Sequence, residues 1–166
     1  MAKDQSFDIT TGVDLQEVDN ALNQARKEIV NRFDFKNVLA DIEYDRDAPK
    51  ITIHTADDYK LEAIWQVMVQ RFTARDVPLK NLERGKVEQA SGGTVRQEVT
   101  FVQGLDSDLA KKITKFIRDQ KFKKANAQVQ GDTVRVSSPS RDELQSVMNA
   151  VKGEDWGIEL NFGNYR

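Results

Sequence analysis

The chain has 166 residues, of which 39% are hydrophobic and 31% charged, enough for one ordinary domain or two small ones. No run approaches the roughly 20 apolar residues that a membrane-spanning helix needs. The lack of cysteine excludes a disulfide scaffold, thiolate metal sites and thiol nucleophiles. The N-terminal stretch MAKDQSFDI has no apolar segment behind its charges, so we expect no export signal and a cytoplasmic location.

The charge is balanced overall but unevenly distributed. With 25 basic and 27 acidic residues, the net charge of −2 supplies no general attraction to nucleic acid. Residues 1–62 carry 8 Lys/Arg and 14 Asp/Glu, a net of −6, which leaves +4 for residues 63–166. Within the second half, residues 109–124 contain seven cations and Asp119 alone as an acid. This stretch is therefore the expected place for an anion to bind.

The first half of the chain alternates strand-like and helix-like patterns. Asp14 and Glu17 resemble a capping box, and the acidic pair Asp57-Asp58 suits the start of a second helix. The predicted elements are a strand at 6–10, a helix from about Asp14 to Arg32-Phe33, paired strands at 40–45 and 50–55, a helix from about Asp57, and a strand at 82–90.

The second half repeats this order after Gly92-Gly93, which marks the predicted junction. Ser140 and Glu143 form a capping box at the start of the last helix. The predicted elements are a strand at 94–103, a helix around 109–117, a hairpin of 126–130 and 133–137 turning at Gly131-Asp132, a helix from Ser140, and a strand at 158–162.

The order strand-helix-strand-strand-helix-strand, present twice, predicts an α+β protein of two tandem ferredoxin-like units, residues 1–91 and 92–166. Each unit would pack two helices on one sheet face and leave the other face open. In the second unit, alternation directs one set of residues toward the helices: Ala127, Val129, Val134, Val136, Ile158, Leu160 and Phe162. It directs another set away: Gln128, Gln130, Arg135, Glu159 and Asn161.

The residue types and motifs give little evidence that the protein is an enzyme. The one histidine, His54, is predicted on a strand with no nucleophile arranged beside it. Phosphate-loop and dinucleotide-binding glycine motifs are absent. The acidic run from Asp41 to Asp47 lacks the glycine and terminal glutamate of a calcium loop, so exposed strand charges explain it. We therefore expect a protein that is not an enzyme and holds no metal or cofactor.

Two groups of residues are candidates for binding an anion or a base. Lys111, Lys115 and Arg118 form a cationic stripe on the third helix, and Arg135 and Arg141 lie in the same predicted unit. This pattern is typical of a solvated helix face and also of a phosphate-binding surface. The phosphate hypothesis requires that Arg118 and Arg135 lie close together, without carboxylates that neutralise them.

The second candidate is the segment RFDF at 32–35. Helix termination with Phe33 and Phe35 packed beneath explains it, and so does an Arg32–Phe35 pair that stacks on a nucleotide. The predicted topology is also that of the RNA recognition motif. The aromatic residues on which that motif stacks bases are missing from the candidate central strands, so that mode of RNA binding is disfavoured.

Several segments resemble one known family. SFDI at 6–9, VDLQEVDNAL at 13–22, RFDF at 32–35, QVQGD at 128–132, VRV at 134–136, RDELQSVM at 141–148 and the ending NFGNYR are similar to the YajQ family of small bacterial nucleotide-binding proteins. The resemblance covers essentially the whole chain. Ser138-Pro139-Ser140 stands where the family more often has a Gly-Lys pair, which removes one cation from the predicted phosphate site.

The resemblance implies two tandem ferredoxin-like units whose first strands are exchanged. The strand at 6–10 would complete the second sheet, and the strand at 94–103 would complete the first. It also implies nucleotide binding without catalysis, with some members acting as cyclic di-GMP receptors through protein or DNA partners. From the residues themselves, an RNA-binding module and a protein-interaction adaptor without a nucleotide ligand stay open as alternatives.

Overall fold

The computed structural model describes residues 3–166. Met1 and Ala2, which begin both the N-terminal stretch considered for export and the predicted first unit, lie outside the described residues. Within residues 3–166 the chain forms four α-helices and two antiparallel sheets, which confirms the α+β class. None of the helices in this range is both long and apolar enough to cross a bilayer.

The helices are α1 (Leu15–Val30), α2 (Asp58–Ala74), α3 (Ser107–Asp119) and α4 (Arg141–Lys152). The strands are β1 (Gln5–Thr10), β2 (Ala40–Asp45), β3 (Lys50–Thr55), β4 (Leu82–Arg84), β5 (Glu88–Gln89), β6 (Val95–Phe101), β7 (Asn126–Gln130), β8 (Thr133–Ser138) and β9 (Asn161–Gly163). Short 3₁₀ turns lie at Phe33–Phe35, Leu79–Asn81 and Ser91–Gly93.

The predicted helix starts are confirmed. A side chain immediately before each helix accepts a hydrogen bond from a backbone N–H of the first turn, and that N–H has no partner within the helix. Asp14 accepts from Gln16 and Glu17, Asp57 accepts from Lys60, and Ser140 accepts from Glu143; in the third helix Asp106 accepts from Leu109. Each cap fixes the residue at which its helix begins, and the positions of the buried residues along the helix follow from that start.

The chain divides into two compact units. We call Val13–Phe101 the central unit, and the described residues up to Gly12 together with Val102–Arg166 the terminal unit. The sheet of the terminal unit has the strand order β7-β8-β1-β9. The sheet of the central unit has the order β2-β3-β6-β4, with β5 also pairing with β6.

Each unit has its own core between two helices and one sheet face. In the central unit α1 and α2 cover β3 and β6, and Phe72, Met68 and Ile53 are fully buried there. In the terminal unit α3 and α4 cover β1 and β8, and Phe7 and Ile113 are fully buried. Burial of these apolar side chains is the main favourable term in folding each unit.

Two predicted strands are shorter in the structure than in the sequence pattern. The segment at 82–90 is interrupted at Gly85, whose N–H donates to the carbonyl of Glu98; a Cβ at Gly85 would lie 3.0 Å from that oxygen. The predicted strand at 158–162 pairs only from Asn161. Before that point, the carbonyl of Glu159 accepts a hydrogen bond from the Thr11 hydroxyl in place of a backbone N–H of the sheet.

Candidate functional site

The cationic stripe of α3 is exposed along its length. Lys111, Lys115 and Arg118 are all solvent-exposed, and they follow at spacings that place them on neighbouring turns. Among the described residues, the one ion pair that this stripe makes joins Lys115 to Asp119 at 3.9 Å, between side chains 74% and 64% exposed. A pair so open to water leaves most of the positive charge available.

Arg118 also lines a groove between α3 and the edge strand β7. The groove has a volume of about 250 Å³. Its lining combines apolar side chains from both elements with a few polar groups: Thr114, Ile117, Arg118, Ala125, Asn126, Ala127 and Val129. The groove is therefore partly apolar, with a cation at one side.

Arg135 belongs to a different surface. Its neighbours Val134 and Val136 are fully buried beneath the helices, so the alternation of the strand places Arg135 on the opposite sheet face from α3. There its Nε lies 2.9 Å from Oδ1 of Asp8, its register partner on β1. This hydrogen bond is the main cause that lowers the pKa of the Asp8 carboxyl below its ordinary value; burial raises that pKa, and Asn164 adds a second hydrogen bond that lowers it. Arg135 is thus already neutralised.

Arg141 lies at the first position of α4, on the rim of a cavity of about 310 Å³. The cavity is lined by residues from β1, from α4 and from the end of the chain: Gln5, Ser6, Phe7, Arg141, Leu144, Gln145, Met148, Tyr165 and Arg166. The elements are held together because Ser6 and Arg166 exchange two backbone hydrogen bonds, of 3.1 and 3.2 Å. The end of the chain thereby forms one wall of the cavity.

The cavity joins an apolar floor to a charged rim. Phe7, Leu144 and Met148 are buried and face it, and the Tyr165 ring stands 6.4 Å from that of Phe7 and is 65% exposed. The Tyr165 hydroxyl lies 4.0 Å from the Met148 sulfur. An aromatic ring beside a thioether is an apolar, polarisable surface suited to another flat ring.

The guanidinium of Arg141 is available at this rim. Its Nε donates to Oε1 of Gln5 over 3.4 Å, a long hydrogen bond between two exposed atoms. In residues 3–166 no carboxylate lies within ion-pair distance of it, in contrast to Arg135. An unpaired guanidinium can bind a phosphate through two parallel hydrogen bonds.

Arg32 and Phe35 lie in the central unit, at the 3₁₀ turn that follows α1. Arg32 is paired with Asp34 at 2.7 Å, and its guanidinium carbon stands 5.4 Å from the centre of the Phe35 ring. Lys60 covers the same ring at 5.0 Å. Phe35 is buried, whereas Phe33 is 91% exposed, so the interpretation that both rings pack beneath the helix end is correct for Phe35 only.

The seven predicted residues therefore occupy four places. The α3 stripe holds Lys111, Lys115 and Arg118. The sheet face of the terminal unit opposite α3 and α4 holds Arg135, the cavity rim holds Arg141, and the central unit holds Arg32 with Phe35. The structure does not bring Arg118 and Arg135 together on one surface, as the phosphate hypothesis required, because they lie on opposite sides of the sheet.

Comparison with known proteins places this sequence in a family. The sequence family described as "nucleotide-binding protein YajQ-like" matches residues 5–166. The chain belongs to the YajQ-like family. It is 48% identical over 163 residues to a nucleotide-binding protein of Koribacter versatilis, with 98% of each chain covered. It is 49% identical over 166 residues to nucleotide-binding proteins of Bacillus cereus and Bacillus anthracis, with all of each chain covered.

The sequence patterns did not single out most of the cavity. Gln5, Met148 and Tyr165 come from three distant parts of the chain, and no periodicity links them. The one available signal was the ending NFGNYR, an exposed aromatic residue beside an arginine with no core position to explain it. Such a residue is a better indicator of a binding site than another lysine on a charged helix.

Proposed function

We propose that this protein binds a nucleotide in the terminal unit, in the cavity between β1, α4 and Tyr165. The observation that carries the proposal is the combination of an apolar floor, an exposed aromatic ring and an unpaired guanidinium in one concave site. Ligand sites typically combine a mostly apolar lining with a few convergent polar groups. The relatives named as nucleotide-binding proteins support this class of ligand.

In this proposal the base stacks on the apolar surface that the Tyr165 ring forms together with the side chains of Leu144 and Met148. The amide of Gln5 at the rim can bond to polar atoms on the edge of the base, and the Arg141 guanidinium receives the phosphate. No step requires a nucleophile or a general base, so the proposed activity is binding without chemistry on the ligand.

The size of the cavity bears on which nucleotide binds. About 310 Å³ is at the small end of the range for ligand sites, enough for one nucleoside monophosphate. Cyclic di-GMP is the ligand we propose: one guanine would occupy the cavity and the other would lie at its mouth, with a phosphate at Arg141. We propose further that the protein acts in the cytoplasm as a receptor that passes the signal to a protein or DNA partner.

The same proposal extends to the fold. We propose that the two units are ferredoxin-like βαββαβ units with exchanged first strands. The supporting observations are that β1 pairs with β8 and β9, while β6 pairs with β3 and β4. Relative to the predicted limits at residues 91 and 92, each sheet would then take its completing strand from the other half of the chain.

The experiment is calorimetric titration of the full chain with cyclic di-GMP, GTP and a short single-stranded RNA. Arg141→Ala should weaken binding of the nucleotide about tenfold or more, because it removes the phosphate partner. Tyr165→Ala should weaken binding by a similar factor, because base stacking on an aromatic ring contributes about 1–3 kcal/mol. Arg118→Ala is the matched control, since it removes the same charge from the same unit outside the cavity.

Four outcomes would contradict the cavity as the nucleotide site. Loss of binding in Arg118→Ala with full binding in Arg141→Ala would move the site to α3. Binding that depends on Arg32 and Phe35 would move it to the central unit. RNA binding that falls steeply with salt, with no response to either mononucleotide or dinucleotide, would indicate an RNA-binding module. Absence of any titration heat or thermal shift with the nucleotides and the RNA would favour a protein-interaction adaptor without a nucleotide ligand.

A further inference from the structure

The strand β7 presents a free edge to solvent. It is the outermost strand of the terminal sheet, and Asn126, Gln128, Val129 and Gln130 are exposed. β7 joins β8 through the two-residue turn Gly131-Asp132, with Gln130 opposite Thr133. An edge of this kind carries unpaired backbone donors and acceptors that a further strand can use.

The hairpin geometry shows which backbone groups point outward. A two-residue turn closes on a hydrogen-bonded pair, here Gln130 with Thr133, and bonded and non-bonded pairs then alternate along the ladder. Ala127 and Val129 are therefore in non-bonded pairs, and their N–H and C=O groups face away from β8. Across residues 3–166, no other group bonds to these four atoms. The side chains of Ala127 and Val129 face the groove that Arg118 lines.

The outer strand of the central sheet is protected in a way that β7 is not. On β2 the carbonyl of Ile42 accepts two hydrogen bonds from Arg26, at 3.0 and 2.7 Å. A guanidinium across the edge prevents another strand from pairing there. The difference between these two edges points to β7 as a surface on which a strand can add.

The charge around the groove indicates what the added strand would carry. Thr114 and Arg118 line the groove. Lys111 lies one turn before Thr114 on the same flank of α3, and Lys121 follows Arg118 just beyond the end of the helix. Lys112 is two positions from Thr114, and residues at that spacing do not share a helix face, so Lys112 lies on the other flank of α3. A cationic flank above an apolar groove is complementary to a segment with acidic and aliphatic side chains on one face.

We propose that β7 and the α3 groove bind an extended acidic–aliphatic peptide segment of a partner protein by strand addition. The backbone of the segment would pair with Ala127 and Val129. Its aliphatic side chains would lie against Ile117 and Val129, and its carboxylates would meet Arg118 and Lys111. This interaction surface is separate from the nucleotide cavity, and it does not rest on the proposed nucleotide binding.

The test uses a blocked octapeptide probe, Val-Thr-Glu-Thr-Val-Thr-Glu-Thr, in which Val and Glu alternate on one face and Thr fills the other. On the full-length protein, saturating probe should slow hydrogen exchange at the Ala127 and Val129 amides about tenfold or more. The same peptide with Lys in place of Glu should bind about tenfold more weakly, because like charges then meet at Arg118 and Lys111.

Two variants and a control separate the contributions. Val129→Pro removes an outward N–H that β8 does not use, so it should abolish probe binding while the β8 amides stay protected. Arg118→Glu keeps the backbone unchanged and should weaken probe binding about tenfold, whereas Lys112→Glu, on the other flank, should change it less than twofold. Neither Arg118→Glu nor Val129→Pro should alter cyclic di-GMP binding.

Four results would overturn the proposal. They are no probe binding at millimolar peptide, probe binding without slower exchange at Ala127 and Val129, and probe binding that survives both Val129→Pro and Arg118→Glu. The fourth is protection of these amides by an oligonucleotide or by self-association of the protein in place of the peptide, since either would assign the edge to a different occupant.

Discussion

The two units have similar layers but use their arginines differently. In the central unit most of the guanidinium groups bond within the unit, among them Arg26 to the Ile42 carbonyl, Arg71 to Glu28, Arg75 to Glu17 and Arg84 to Glu62. In the terminal unit, within the described part of the chain, Arg118 and Arg141 pair with no carboxylate, and only Arg135 does so, with Asp8. The number of cations in a segment therefore does not identify a binding site. What identifies one is a cation whose charge no carboxylate neutralises.

The cores of the two units should respond alike, although their surfaces differ. Phe72→Ala in the central unit should lower the free energy of unfolding by about 3–5 kcal/mol, and Ile113→Ala in the terminal unit by about 2–5 kcal/mol, because each leaves a cavity in a fully buried site. Urea unfolding of the full chain measures both. Tyr59→Ala, at a side chain 79% exposed, is the control and should stay within about 0.5 kcal/mol. Equal losses at Tyr59 and Phe72 would contradict the assignment of the core.

The protected edge of β2 offers a sharper contrast with β7. Arg26→Ala removes two charged hydrogen-bond donors from the Ile42 carbonyl, and we expect a loss of about 1–2 kcal/mol in the free energy of unfolding. Arg46→Ala is the control, since among residues 3–166 its guanidinium bonds to the exposed Gln16 amide alone, and its loss should cost almost nothing. A loss for Arg26→Ala no greater than that for Arg46→Ala would show that the bond to Ile42 does not stabilise the edge.

The pair that neutralises Arg135 should appear in the pH dependence of stability. The folded-state pKa of Asp8 is lowered, so its contribution is present above the unfolded pKa and is lost as pH falls through the folded value. Asp8→Asn should therefore lower the melting temperature near neutral pH and flatten its dependence on pH in the acid range. Melting curves from neutral pH down to the acid range measure this. An unchanged slope in Asp8→Asn would mean that the Arg135 pair does not hold the carboxylate charged.

The smallest effect should be at the exposed pair on α3. Asp119→Ala removes the partner of Lys115, but at 3.9 Å and with both side chains more than 60% exposed the pair contributes less than about 0.5 kcal/mol. Thermal unfolding in low and high salt gives the value. A larger, salt-sensitive loss would show that the positive charge of α3 is engaged within the terminal unit and is less available than we infer.

Local signals in the sequence predicted much of the fold. The caps Asp14, Asp57 and Ser140 begin helices as expected, because a cap depends on the first turn alone. The alternating runs at 40–45, 50–55 and 126–130 became the strands β2, β3 and β7 with the expected bounds. The predicted domain limits at residues 91 and 92 stay a prediction.

The candidate site was harder to predict because its determinants are not local. The pairing of Arg135 with Asp8 depends on the register between β1 and β8, which joins residues 127 positions apart. The cavity at Arg141 depends on where the end of the chain pairs with Ser6. Phe33 and Phe35 diverge because a 3₁₀ turn rotates successive side chains by about 120°, so only one of them faces the core.

The most direct test of the central claim is backbone NMR of the full-length protein titrated with cyclic di-GMP. Nucleotide binding in the cavity predicts the largest chemical-shift changes at Gln5–Phe7, at Leu144–Met148 and at Tyr165. Changes confined to Lys111–Arg118, or to Arg32–Phe35, with the cavity residues unmoved, would contradict it.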